Sequence, residues 1–424
     1  MATTPNPTAP AAMSMAEVLR IPAMRRLWYA QIVSNFGDFL ALFAVIGILT
    51  FQLGANPQQV TGVQIAYLAP IAVLGVIAGV FVDRWPLKPT MVASDLTRAA
   101  FVLLLLFATR MGHFYAVLAA ISVVSSFFGP AQGVAIRSIV PLSGLRSANA
   151  LMQQVMFLMR IVGPTVAALL VSSFGPKVCY WADAASFVAS GALIASVALG
   201  RIEPLPVQTL EQTVEEEARG IARIVRDMKV GFSFIFHHAG LLFVLLSLTA
   251  AIFVLACFGP LIAIYVRDSL HASTRIFGYA SGAIGLGMLL GVNTLNALAK
   301  GVKNSLLVYS GLGGIAVGLV LLTLVPHVWS ALVGDLIIGF AVAGIIVPSQ
   351  TMIQQETPPA LMGRVGSTVM SFISAAQVSG LILSGYLAEW IGVRNVFAVC
   401  AGMLVLLIGI GKVWMEPKEL AATT

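Results

Sequence analysis

The stretch Gln31–Val45 reads QIVSNFGDFLALFAV, an apolar run with an aspartate, Asp38, at its middle. A charge at mid-bilayer costs about 2.5–3.5 kcal/mol on insertion scales. A carboxyl group kept there at that cost has one chemistry at hand, taking up and releasing a proton. Gln31, Ser34 and Asn35 share a helical face with Asp38, so the spacing turns that face into a bundle and away from lipid. Arg160 is the second deep charge in this reading. Counted from Trp28, Asp38 lies ten residues in; counted from Asn149, Arg160 lies eleven in. At 1.5 Å per residue both sit roughly 15 Å deep, half of a ~30 Å core. The expectation is that Asp38 and Arg160 interact, and that a state change separating them lets Asp38 take a proton. The alternative is a permanent structural ion pair, whose single removal would leave a buried charge uncompensated.

The uncharged polar residues within apolar segments are Gln31, Asn35, Gln64, Gln132, Gln153, Gln350 and Gln377. They suit a cavity that holds water and an amphiphilic substrate, and they equally suit helix-to-helix glue. Met152, Met156 and Met159 form a helical stripe that reads as a lipid or core face. His237 and His238 read as interfacial, and Cys179, Cys257 and Cys400 have no metal or disulfide spacing. No metal site, no cofactor and no catalytic constellation is expected: H-E-x-x-H, G-x-S-x-G and a Gly-rich phosphate loop are all missing from the sequence. That argues against an enzyme and against an ATP-driven pump.

The elements that must carry these residues follow from composition. Of 424 residues, 59% are hydrophobic and only 10% charged, against about 25% charged in soluble domains. Such a chain must face lipid. The formal charge of +7 is dispersed, so no nucleic-acid partner is expected. About 20 apolar residues make a spanning helix. Twelve segments qualify, near 28–51, 60–82, 90–110, 114–136, 149–173, 179–200, 240–266, 275–298, 304–324, 328–352, 365–388 and 394–414. With an even number of spans, eighteen Lys and Arg fall on the side of the termini, five on the other, and Arg160 within a span. The excess predicts that both termini are cytoplasmic.

The predicted organisation is a disordered tail at 1–14, a six-helix bundle at 15–200, a linker at 201–238, a second bundle at 239–415 and a tail at 416–424. In the linker, Ile221, Ile224, Val225 and Met228 alternate with Arg219, Arg223 and Arg226. This pattern reads as an amphipathic helix on the membrane surface, or as a solvated linker helix. The halves repeat. Pro130 and Gln132 match Pro348 and Gln350, Pro141 matches Pro359 and Arg146 matches Arg364, each 218 apart; Gly163 and Gly175 match Gly380 and Gly392 at 217. Repeated halves with a site where they meet are a transporter design.

The loop Gly79-Val-Phe-Val-Asp83-Arg84-Trp-Pro-Leu-Lys88 resembles the signature loop of the major facilitator superfamily, with Pro86 at the usual second glycine and Leu87 at a usual basic position. The equivalent Ala299-Lys300 lacks the acid. RRLWYAQIVSNFGDFL, DLTRAAF, RSANALM, GFSFIFHHAGL and GRVGS are similar, over about 15–415, to the branch of drug and macrolide efflux proteins and the enterobactin exporter. The resemblance implies an all-α membrane fold of twelve helices in two pseudo-symmetric six-helix bundles. It implies alternating access, export of a hydrophobic or amphiphilic small molecule by proton antiport, a bacterial inner-membrane location and a monomer. Asp83 would latch onto the N-terminus of the eleventh span near Gly363–Val365, with Gly79, Arg84 and Lys88 in the gating loop and with Asp95 and Arg98, three apart on one face of the third span, pairing with each other or with that loop in an ion network. Gly163-Pro164 resembles the core of an antiporter motif, with Ala167 and Ala168 where a glycine pair is usual. An ordinary packing kink is the other reading. The fourth span lacks the mid-membrane arginine of many drug/proton antiporters, since Arg137 stands near its end. Alternatives are a lysophospholipid flippase of the same fold and a non-transporting membrane sensor or assembly factor.

Overall fold

A computed structural model of the chain describes residues 13–82, 85–198, 229–298, 302–358 and 361–414. Among them there is no β-strand. A short helix α1 (Met15–Arg20) precedes six long ones: α2 (Pro22–Gly47), α3 (Pro57–Val82), α4 (Leu87–Leu104), α5 (Met111–Ile139), α6 (Leu145–Phe174) and α7 (Lys177–Ala195). Residues 229–236 are helical (α8). Six more long helices follow: α9 (Ala239–Asp268), α10 (Thr274–Leu298), α11 (Asn304–Leu324), α12 (Val328–Glu356), α13 (Met362–Ile391) and α14 (Val393–Trp414).

Ten of the twelve long helices meet both the length and the apolarity of a membrane span. The other two, α3 and α6, run 26 and 30 residues and contain side chains outside the described set. Without water, an apolar chain must bond its own backbone, and helices do so. Proline sets the helix starts at Pro22 and Pro57, where its missing N–H costs nothing.

The repeat is visible in the helix boundaries. Starts at Pro22, Pro57, Leu87, Met111 and Leu145 recur 217 residues later at Ala239, Thr274, Asn304, Val328 and Met362. Pro130 and Pro348, the pair that marked the repeat, fall inside α5 and α12. The linker helix expected around Ile221–Met228, with its arginines, lies outside the described residues. Where the chain is described again, α8 leans on α13 by stacking Phe232 on Phe372 at 5.9 Å.

By packing, the chain forms two compact units. The first takes residues to Leu42, Ala66–Gly163 and the α7 region from Lys177; the second takes Phe43–Ile65, Pro164–Pro176 and the described residues from 229 on. In the first, Val18 of α1 joins a buried core with Met24, Leu27, Phe128, Ile136 and Leu151. Helix α1 is held at its start by a capping box between Ser14 and Glu17. The chain before it is tied to the α5–α6 turn, where the Ser147 hydroxyl donates to the Met13 carbonyl at 2.6 Å.

The second unit contains the far end of α2, and the reason is specific. After α2 the chain makes a π-turn, Ile48–Gln52, of the kind that often marks functional places. Arg267, in the last turn of α9, donates from Nη1 to the carbonyls of Thr50 (2.9 Å) and Ala55 (2.7 Å). Its other nitrogens grip Asp268 at 2.5 and 2.8 Å. Phe43 stacks on Phe277 at 4.5 Å beside this clamp. A cation on the orphan carbonyls of a helix end is favourable. Each charge-assisted bond contributes about 1.5–3 kcal/mol. Arg267→Gln is therefore expected to raise the thiol-labelling rate of a cysteine placed at the buried Ala55 by ten-fold or more, read by maleimide kinetics; an unchanged rate would show that the aromatic stack alone holds this end.

Candidate functional site: an acidic centre in the first packing unit

Four helices of the first unit bring a polar cluster together in an apolar surround. From α2 come Asp38, half-buried, and Ser34 and Asn35, only 3% and 8% exposed. Asp38 falls near the middle of the continuous Pro22–Gln52 span. The tyrosine of α3, Tyr67, faces the Asp38 carboxyl. From α4 come Asp95 and Arg98, 0% and 4% exposed. Helix α7 supplies Asp183, Ser186, Phe187 and Ser190, all buried on one face, while Trp181 on the same helix is exposed.

Local sequence explains the convergence. A Cβ on Gly37 would stand 2.1 Å from Ser186 Oγ and 2.4 Å from Asp183 Oδ1. Only glycine lets α2 and α7 meet there, and the contact sets Asp183 beside the turn that carries Asp38. On the other side of α2, a Cβ on Gly163 would fall 2.6 Å from Phe39 Cβ, so α6 passes α2 at the same level. Helix α3 is steadied around its internal Pro70 by α5. Ser122 Oγ donates to the Tyr67 carbonyl at 2.5 Å, and Ser126 Oγ to the Pro70 carbonyl at 3.4 Å. Proline removes a backbone donor from a helix, and these serines fix the stretch from which Tyr67 reaches Asp38.

Arg98 is the one described cation in the cluster. Its Nη2 donates to Asp95 Oδ1 in a buried ion pair. The Ser190 hydroxyl donates to Asp95 Oδ2 at 2.7 Å. The guanidinium lies between the rings of Phe128 and Phe187, 4.6 and 4.4 Å from their centroids, an arrangement that favours a planar cation. Asp183 receives the Ser186 hydroxyl at 3.3 Å. Asp38 and Asp183 act on each other electrostatically and both sense Arg98. Among the described residues the cluster thus holds three carboxyl groups and one guanidinium.

The residues anticipated from sequence are placed as follows. Asp95 and Arg98 pair directly, one of the two arrangements open to them. The side chain of Arg160 lies outside the described residues, so the Asp38–Arg160 pair is not among the described contacts; Tyr67, Asp183, Asp95 and Arg98 are what the structure sets around Asp38. Asp83 and Arg84 also lie outside the described residues, while Gly79 falls in the last turn of α3 and Lys88, half-buried, in the first turn of α4. Gln132 Nε2 donates to Gln31 Oε1 at 2.5 Å, joining two of the seven polar residues. Gln153 and Gln350 are exposed on α6 and α12, and Gln64 and Gln377 half-buried on α3 and α13. Pro164 follows Gly163 inside α6.

Two buried acids escaped the sequence reading. Asp183 is one; Asp335 of α12, 0% exposed with neither oxygen hydrogen-bonded among the described residues, is the other. Both lay in plain view within spans, and the spacing Asp183, Ser186, Ser190 on one helical face was the missed signal. No group of three His, Cys, Asp or Glu suited to a metal occurs among the described residues.

Twelve long helices among the described residues, in two repeats, with ionisable groups sheltered in the apolar interior, define a polytopic membrane transporter. The family model described as transmembrane secretion effector matches residues 13–422, and the chain belongs to this family of the major facilitator superfamily. It is 26% identical to the MFS-type transporter YfiS of Bacillus subtilis, over 93% of this chain and 94% of that one. It is 28% identical to macrolide efflux protein A of Streptococcus pyogenes, over 91% and 93%. Among solved structures, a POT family transporter in complex with a thioalcohol-conjugated peptide superposes with a TM-score of 0.70 at 12% identity, covering 93% of this chain and 96% of that one. That likeness shows the fold.

Proposed function

We propose that this chain exports a hydrophobic or amphiphilic small molecule across the bacterial inner membrane by alternating access, driven by proton antiport, as a monomer with both termini in the cytoplasm. The observation that carries the reading is Asp38, a half-buried carboxyl midway along a span, faced by Tyr67 and set in an acid-rich centre. A group with that placement can exchange a proton as its surroundings change. The drug-efflux names among the relatives support export, and the basic residues at the terminal side support the orientation.

The test is purified protein in liposomes under an imposed pH gradient, with dyes, macrolides, siderophores and lysolipids as the panel. Uphill movement of at least one amphiphile, abolished when the gradient is collapsed, is the expected result. Movement of lysolipids alone, indifferent to the gradient, would put a flippase in its place.

A further inference from the structure

A short helix stands just before the first long helix of each repeat, α1 before α2 and α8 before α9. The two are equivalent in the repeat. Val18 of α1 and Ile235 of α8 stand 217 positions apart, and both are buried, 0% and 1% exposed. Each rests on the start of an equivalent helix. In the first unit the Ser147 hydroxyl of α6 holds the Met13 carbonyl. In the second, the place of Ser147 is taken by Arg364 of α13. A Cβ on Gly231 would stand 2.4 Å from the Arg364 carbonyl oxygen and 2.5 Å from Thr368 Oγ1. Glycine therefore lets α8 lie directly on the first turns of α13.

The two helices differ in what they carry on the outside. Helix α1 has Ala16, Glu17 and Arg20, with the Glu17 carboxylate tied to Ser14. The equivalent positions at α8 are Ser233, Phe234 and His237. Lys229, Ser233 and His237 follow one another at four-residue spacing and line a groove of about 520 Å³, closed by Val230, Phe234 and, at the start of α13, Leu361. This row offers hydrogen-bond donors. The ammonium and the hydroxyl both donate. His237 Nδ1 donates to the Ser233 carbonyl at 2.7 Å, which leaves Nε2 as the ring nitrogen for a ligand. An anion beside the ring favours its protonated form, and Nε2 then donates as well.

The rest of the outer surface of α8 is aromatic. Phe232 and Phe236 are exposed and lie 5.2 Å apart, and Phe232 stacks on Phe372 of α13. Only His238 separates α8 from the thirty-residue α9, so these rings lie where a span enters the bilayer. A basic donor row beside exposed rings matches the two parts of an anionic lipid, a phosphate in the headgroup layer and acyl chains below it. The groove is of a size to hold a headgroup.

We propose that this groove binds the phosphate of an anionic phospholipid between Lys229 and His237, with the acyl chains lying over Phe232 and Phe236. The site holds for any transported substrate. A basic side chain near an anionic membrane lipid contributes about five-fold in affinity, so two should separate anionic from zwitterionic lipid clearly.

The test uses the full-length protein in nanodiscs of pure phosphatidylcholine or of phosphatidylcholine with phosphatidylglycerol. Its three native cysteines are buried, so a cysteine at the exposed Ser233 reports on the groove through its rate of maleimide labelling. Ala16→Cys, at the equivalent exposed position of α1, reports the effect of surface charge alone. Phosphatidylglycerol is expected to slow labelling of Ser233→Cys by about five-fold or more and that of Ala16→Cys by less than about two-fold. Lys229→Gln with His237→Gln, both at exposed positions, should restore the rate at Ser233→Cys. Glycerol 3-phosphate added to phosphatidylcholine discs should give no protection. Equal rates in the two kinds of disc would overturn the proposal, and so would equal slowing at both cysteines, which marks surface charge alone. Protection that persists in the double variant would remove Lys229 and His237 from the site. Protection by glycerol 3-phosphate would show a site for a soluble anion and overturn the lipid assignment.

Discussion

Asp38→Asn is expected to abolish proton-driven uphill transport in liposomes while downhill substrate exchange continues. Asparagine matches aspartate in size, and its side-chain oxygen still faces Tyr67, so the packing around α2 is kept. What disappears is the ability to hold and release a proton at the middle of the span. An exchange that needs no net proton movement proceeds without it. A purely structural Asp38 would behave differently, since its loss would weaken folding and depress uphill and downhill movement together. Both fluxes are therefore measured on the same preparation, normalised to monodisperse protein. Uphill accumulation should fall to the level of protein-free liposomes. If uphill transport survives the substitution, Asp38 does not carry the proton.

The helices were easy to read because the solvent dictates them. A segment that cannot reach water must be a helix of a length set by the bilayer, and a pattern of prolines and basic residues marks its ends. The repeat was legible for the same reason, since Pro130 and Pro348 interrupt equivalent helices in any packing. Asp38 was legible because it breaks an apolar run. Its surroundings were not, because they depend on which helices touch. Depth alone nominated Arg160, whose side chain lies outside the described residues, and depth could not say that α7 also crosses α2 there. Gly37 decides the matter for α2 and α7, and a single glycine among 39 carries no sign that it is the one at a crossing. Asp95 and Arg98 were legible as a pair from their i,i+3 spacing on α4. The phenyl rings that enclose the guanidinium come from α5 and α7, and only tertiary packing supplies them. The Arg267 clamp on Thr50 and Ala55 joins residues more than 200 positions apart, which no local pattern announces.

Arg98→Gln should be the most damaging single change in the first unit. It removes the only described positive charge from a cluster that holds Asp38, Asp95 and Asp183. Breaking a buried ion pair from one side costs about 3–5 kcal/mol, because the remaining charge is left without a partner. The expected result is a large loss of monodisperse protein on size-exclusion in mild detergent and a lower melting temperature for what remains. Failure to fold would be uninformative alone, so the double variant Asp95→Asn/Arg98→Gln is the deciding measurement. Neutralising both members removes the stranded charge and keeps nearly the same volume, so most of the lost stability should return. Arg98→Lys should recover less than that. An ammonium keeps the charge but cannot fill the flat slot between Phe128 and Phe187, where a guanidinium faces both rings at once. If Arg98→Gln melts with the wild type, the guanidinium does not balance the acids. If the double variant is no better than the single, the damage comes from the ring contacts and not from charge. Recovery in the double variant, with lysine falling between, would establish Arg98 as the fixed positive charge against which Asp38 and Asp183 are set.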